Sequence, residues 1–262
     1  MKKYWVDQIG YWAYQSLREN DHGLVIGITS RGLFLLLGGE HVVFLSHEPE
    51  LSPLTITLHP GECDFEDVNL RDKITVDDCL IRIGRVIEIS VCEAKIWQPS
   101  LLQVEDLRLE GLRDRLTAVA CRLTELKGEV GWAAFLTYLV GTRALPPPME
   151  LQTLERQVND LHVAMFSERE EQVRTALKPF YGLGRGLTPS GDDFIIGLVL
   201  VLSRWPGSVG FHPKLTDLLE GIVSDAQLQT TRISQAMITC AARGYADERL
   251  LGAVDGIITG HK

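Results

Sequence analysis

Five cysteines in 262 residues, with no CxxC pair among them, leave nothing for a disulfide frame or a cysteine zinc site to be built on. Cys63, Cys79, Cys92, Cys121 and Cys240 read instead as small core residues of a reduced protein. Basic charge is also scarce, with 26 Lys and Arg against 35 Asp and Glu, a formal charge of −9. Phosphate contacts dominate nucleic-acid affinity, so no nucleic-acid partner is expected. Long apolar runs are missing too. The longest, Phe194 to Leu202, has nine residues, where a membrane-spanning helix needs roughly 20. The opening Met1-Lys2-Lys3 carries the charge of a secretory leader, but Asp7, Gln8, Gln15 and Arg18 interrupt any apolar stretch behind it. A cytoplasmic location is expected. The seven histidines form no HxxxH or HExxH pair, and GxSxG is absent. Internal repeats and low-complexity segments are absent as well.

What remains is the balance of a soluble globular chain, 45% hydrophobic and 23% charged. The length suits one large domain or two small ones. Up to about residue 100 the pattern is that of strands. Leu24–Ile28, Gly32–Leu37 and His41–Leu45 are apolar runs, and Gly38-Gly39 sets a two-residue hairpin between the last two. Leu54–Leu58 alternates with period two, which predicts one buried face. Cys79–Ile83 and Val86–Val91 follow, linked across Gly84-Arg85, and a short helix is predicted around Tyr11 to Leu17.

Beyond about residue 105 the period becomes helical. Leu112, Leu116, Val119, Leu123 and Leu126 form one stripe; Leu151, Leu154, Val158, Leu161 and Met165 form another. Trp132 to Val140 reads as a short apolar helix, and Pro146-Pro147-Pro148 breaks the chain. Phe194–Leu202, apolar all round, predicts a helix buried on every side, and three further stripes run to residue 258. The expected fold class is α+β: a β-rich barrel or sandwich over residues 1–105, then a helical half over residues 106–262.

One stretch concentrates chemistry: Gly182-Leu183-Gly184-Arg185-Gly186-Leu187-Thr188-Pro189-Ser190-Gly191-Asp192-Asp193. Its glycines allow a backbone to approach a ligand closely, and it feeds straight into the most apolar helix. It is neither a Walker loop nor a dinucleotide fingerprint. A structural explanation competes, because Ser190 as N-cap with Asp193 three residues on fits a capping box, and acids suit the first turn. Two carboxylates there would repel a bare phosphate, so an anion site needs cations, for which Arg185 and Arg232 stand nearest in pattern. The second segment, Thr230-Thr231-Arg232-Ile233-Ser234, offers hydroxyls and a guanidinium at a helix start, or simply a cap from Thr230 or Thr231.

These two segments resemble the family of the AllH-type subunit of oxamate carbamoyltransferase, through GLGRGLTPSGDDFIIG at 182–197 and TTRIS at 230–234. The family pattern often has Pro where this chain has Arg185. The resemblance implies a protein of purine-derived nitrogen metabolism (oxalurate breakdown within allantoin degradation). Such a subunit works with two unrelated partner subunits to transfer a carbamoyl group between carbamoyl phosphate and oxamate.

For that chemistry, Asp192, Asp193 and Arg232 are the candidate catalytic residues. Gly184, Arg185, Gly186, Thr188, Ser190, Gly191, Thr230, Thr231 and Ser234 are the candidates for holding a small anionic substrate such as carbamoyl phosphate. The alternative is a non-catalytic subunit for assembly or metabolite sensing. No cofactor is called for, although the acidic pair leaves Mg²⁺ open; adjacent helix residues point about 100° apart, which makes a shared ion awkward. The glycine loop and the Thr230–Ser234 segment are expected to lie side by side.

Overall fold

The computed structural model describes residues 1–59, 64–99, 110–125, 132, 135–136, 139–140, 149–167, 169–206 and 214–260. The Pro146–Pro148 break, Cys63, Leu126 and much of the Trp132–Val140 stretch lie outside them. The chain forms two compact units. One comprises Met1–Leu101 with Tyr245–Arg249, the other Leu102–Gly244 with Leu250–Lys262.

The first unit is built on β1 (Lys2–Gly10), β2 (His22–Thr29), β3 (Gly32–Leu37), β4 (His41–Ser46), β5 (Thr55–Leu58), β6 (Lys73–Asp77), β7 (Leu80–Ile83), β8 (Ile87–Ser90) and β9 (Lys95–Trp97), with α1 (Tyr11–Glu19) between β1 and β2. The strands run in the order β5-β4-β3-β2-β6-β7-β8-β1, and β5 pairs back onto β1. The result is a closed eight-stranded barrel rather than a sandwich, with β9 added beside β1. Closure removes the exposed edges that an open sheet would leave.

The sequence builds this locally. Gly38 and Gly39 both have positive φ (57° and 81°), as a two-residue hairpin of the favoured twist requires. Alternate residues fill the interior, among them Val25, Leu33, Leu35, Ile74, Ile81, Ile83, Ile87 and Ile89.

All four residues of β5 are buried, not one face only. β5 is flanked by both β4 and β1, and the preceding link covers it, with the Thr57 hydroxyl donating to the Glu50 carbonyl at 2.6 Å. β1, β6 and β9 were not foreseen. Nor are the cysteines uniformly core residues. Cys240 is buried, Cys79 half-buried, and Cys92 and Cys121 exposed, because Cys79 and Cys92 sit at strand ends rather than inside the ladder.

Among the described residues the second unit contains α2 (Leu112–Glu125), α3 (Met149–Met165), α4 (Glu170–Leu177), a 3₁₀ turn (Lys178–Phe180), α5 (Ser190–Arg204), α6 (Leu215–Gln229), α7 (Arg232–Ala241) and most of α8 (Glu248–Thr259). The apolar stripes point inward through Leu154, Leu161, Leu218, Ile222, Ile233, Ile238 and Ile258. α5 is its centre. Ile195, Ile196, Val199, Leu200 and Leu202 are buried, while Phe194, Gly197, Leu198 and Val201 are half-buried, so the helix is enclosed on one side rather than all round. Two bidentate Arg–carboxylate pairs brace this centre: Arg174 of α4 to Asp225 of α6 at 2.8 and 2.7 Å, and Arg204 of α5 itself to Asp255 of α8 at 2.7 Å through both oxygens. Trp205 Nε1 also donates to Asp255, at 3.0 Å.

Candidate functional site

The site grows from the turn that follows α4. Phe180 is fully buried and stacks on Phe194 with centroids 4.8 Å apart, which fixes where the chain enters the glycine loop. The next side chain, Tyr181, donates to the Ile222 carbonyl at 3.1 Å. Burial, together with the nearby Asp225 charge, pushes its phenol above the ordinary range. From Gly182 to Leu187 the loop is exposed, and only at Pro189 does it sink back into the unit.

Two glycines in it are required by contact. A Cβ on Gly191 would meet the Phe180 carbonyl oxygen at 2.0 Å. Gly184 has φ +124°, and a Cβ there would meet the Ser190 nitrogen at 2.8 Å. Gly186, also at positive φ, faces open space.

The capping box is not formed. α5 begins at Ser190, and its N-cap is Pro189, whose extended backbone offers no side-chain bond. The Pro189 carbonyl accepts from Asp192 and Asp193 N–H at 2.9 and 3.1 Å. Ser190 is therefore the first helical residue, and neither aspartate side chain caps the helix in the expected pattern.

Asp192 is completely buried and works at long range instead. One carboxylate oxygen accepts from the Gly182 N–H at 2.8 Å, and the other from the Thr230 hydroxyl. Asp193 lies at the rim, exposed as a residue. Desolvation at its carboxyl is the main reason its pKa lies above the ordinary value; the Asp192 charge adds to this, and the Thr188 hydroxyl opposes it by hydrogen bonding.

At the second segment the cap is real. Thr231 is the N-cap of α7, and its hydroxyl oxygen accepts from Ser234 N–H at 3.1 Å. The same hydroxyl group reaches the Leu187 carbonyl at 2.9 Å and the Ser234 hydroxyl at 3.1 Å. Together with Thr230–Asp192, this joins the two segments through side chains. The expected juxtaposition is present: even a Cβ on Gly182 would come within 3.5 Å of the Gln229 carbonyl oxygen.

The predicted residues thus fall into three groups. Asp192, Thr230, Thr231 and Gly191 form the joint itself. Gly184, Arg185, Gly186, Asp193 and Arg232 lie exposed on it, with Thr188 and Ser190 half-buried beside them. Ser234 is fully buried beneath it. Among the described residues, no group of three or more His, Cys, Asp and Glu side chains gathers as metal ligands.

Sequence reasoning passed over Arg174 and Asp225, which brace α4 against α6 close to Tyr181. The signal was there. Asp225 occupies the apolar stripe of Leu218 and Ile222 at helical spacing, and an acid in such a stripe calls for a buried partner.

With this geometry in place, the comparison with known families is specific. Residues 180–262 match the family described as oxamate carbamoyltransferase subunit AllH, and the matched segment contains the entire joint. No curated protein and no solved structure matches the chain. None of the described helices is long and apolar enough to cross a membrane.

Proposed function

We propose that this chain is a subunit of a carbamoyltransferase acting on oxalurate, and that the exposed face of the Asp192–Thr230 joint meets its small anionic substrate. The observation that carries this reading is that the family match to oxamate carbamoyltransferase subunit AllH spans both segments of one hydrogen-bonded joint. In oxalurate breakdown a phosphate oxygen attacks the terminal ureido carbonyl. The carbonyl oxygen becomes an oxyanion, the C–N bond breaks, and the departing nitrogen takes a proton to leave as the amide of oxamate; the other product is carbamoyl phosphate.

That sequence requires a cationic wall for phosphate, donors for the oxyanion and an acid for the nitrogen. Arg185 and Arg232 supply the cations, and the loop backbone with the Ser190 and Thr188 hydroxyls supplies donors. Asp193 is the acid. A carboxyl held above its usual range retains a proton to donate more readily than an ordinary one. Asp192 spends both oxygens inside the joint, so its role is to position the loop.

Partner subunits fit the surface around the joint. Leu187 and Leu183 in the loop and Leu228 before Thr230 are exposed apolar residues, Leu228 at 85%. The test is phosphate-dependent formation of carbamoyl phosphate from oxalurate by the chain alone and with the two candidate partner subunits. Activity that falls at least about 100-fold in Asp193→Asn supports the reading. Partner binding with full activity in both Asp193→Asn and Arg232→Ala would instead make this an assembly or sensing subunit. Absence of turnover in every combination would remove the substrate.

A further inference from the structure

A second site lies wholly within the barrel unit, in a cavity of about 280 Å³ at the seam where β5 closes onto β1. Its polar wall is made of Asp7 and Gln8 from β1, His47 and Glu50 from the link after β4, Thr57 from β5, and Glu248 and Arg249 from the Tyr245–Arg249 segment. A bulge creates the wall. The β1–β5 register runs Val6↔Leu58 and then Gln8↔Thr57, with a shift between them. Val6 and Ile9 therefore both reach the core, and two successive polar residues, Asp7 and Gln8, are left lining the cavity.

Two buried polar atoms in this wall, His47 Nδ1 and Glu50 Oε2, have no hydrogen-bond partner among the described residues. They are not products of a loose loop. The His47 N–H donates to the Arg31 carbonyl at 3.1 Å, the His47 ring stacks on Phe65, the Glu50 carbonyl accepts from Thr57, and Ser46 Oγ accepts from the Glu48 N–H at 3.1 Å. An unsatisfied buried polar atom is costly in a folded protein, so two beside one cavity mark a place where a ligand has bonds to gain. Arg31 relieves Glu50 only in part, as an ion pair with its guanidinium 3.9 Å from Oε2, too far for a hydrogen bond. Burial holds the Glu50 carboxyl above its usual range despite Arg31 and Arg249.

Water can bond to these atoms, but it cannot offset a desolvated carboxylate; an ammonium does both. Asp7 and Glu248 add two further carboxylates, and Arg249 places one exposed guanidinium among them. The size, just under the roughly 300–1,000 Å³ of drug-sized sites, suits a small metabolite.

We propose that the β1–β5 seam binds a small amino-acid-like zwitterion, its ammonium held by Glu50 and Asp7 and its carboxylate by Arg249. The site is independent of the reaction proposed for the helical unit. The experiment is calorimetric titration of the full chain with glycine, L-serine, L-glutamate and L-lysine, with ethylamine and acetate as half-ligands. At least one amino acid is expected to bind with a Kd of about 1 mM or lower, and both half-ligands at least about tenfold more weakly. Glu50→Gln and, separately, Arg249→Ala are each expected to weaken that amino acid at least about tenfold. Arg249 is exposed, so its variant remains informative should Glu50→Gln fail to fold. The proposal is overturned if no amino acid in the set binds more tightly than about 10 mM, if ethylamine binds as well as the best of them, or if Arg249→Ala titrates like the unaltered chain.

Discussion

The starts of α5 and α7 are joined by hydrogen bonds and made from similar residues, yet their side chains do opposite work. At α7 the Thr231 hydroxyl oxygen serves first its own helix, accepting from an N–H three residues on and satisfying one of the donors every helix start leaves open, while its hydrogen reaches the Leu187 carbonyl. At α5 the buried carboxylate of the first turn, Asp192, ignores its own helix and binds Gly182 and Thr230, ten and thirty-eight residues away. A local cap stabilises a helix, whereas a long-range tie gives a loop its shape. The glycine loop takes its path chiefly from Asp192, anchored in α5, with the Leu187 carbonyl held by Thr231 and the Leu183 carbonyl by the Gly191 N–H.

The strongest way to break this contrast is Asp192→Ala. It strands the Gly182 N–H and the Thr230 hydroxyl, and the chain is expected to lose about 3 kcal/mol in chemical denaturation. Next comes Thr230→Val, which removes one donor from a buried carboxylate and costs about 2 kcal/mol. Combined with Asp192→Asn, its effect should be clearly non-additive in a double-mutant cycle. Thr231→Ala, which removes the cap and the Leu187 contact, costs about 1 kcal/mol and should couple to Asp192→Asn more weakly than Thr230→Val does. If instead Thr231 couples to Asp192 as strongly as Thr230 does, the division between cap and tie collapses.

The smallest effect concerns Asp193. Its carboxyl titrates above the ordinary 3.8 in the folded chain. The folded state therefore holds this proton more tightly than the unfolded state, and stability contributed through Asp193 falls as pH rises from that value through the raised one. Asp193→Asn is expected to flatten this part of the pH–stability curve, with a slight gain at neutral pH. Urea midpoints for both proteins across the acid range measure it; parallel curves would show that the rim carboxylate is ordinary.

The parts of the molecule legible in the sequence are those set by neighbours in the chain. The Gly38-Gly39 hairpin and the helical stripes ending at Ile258 follow from turn chemistry and from period. β1 was hidden because its bulge breaks the alternation that announces a strand: Val6 and Ile9 face the core, a spacing of three. The two site segments were conspicuous by composition, but their bonds were not. Ser190 to Asp193 satisfies the spacing of a capping box. Pro189 nonetheless takes the N-cap position, and the Thr188 hydroxyl reaches Asp193 from outside the helix. Which of Thr230 and Thr231 would cap was likewise undecidable from spacing, because the answer depended on a carboxylate far away in sequence.

The closure of the barrel also governs the order in which it can be made. β2, β3 and β4 are joined by tight turns and can pair as soon as they leave the ribosome. β1, synthesised before them, cannot settle so early: Val6 lies opposite Leu58, and Lys2 opposite Ile87. The oldest strand must wait for the youngest part of the sheet, and long-range closure of this kind is slow. Until β8 arrives, both flanks of the unfinished sheet are open to other chains. The interval between the emergence of Leu58 and that of Ile87 is therefore one in which the nascent barrel stays open, a property that no equilibrium measurement on the finished protein reports.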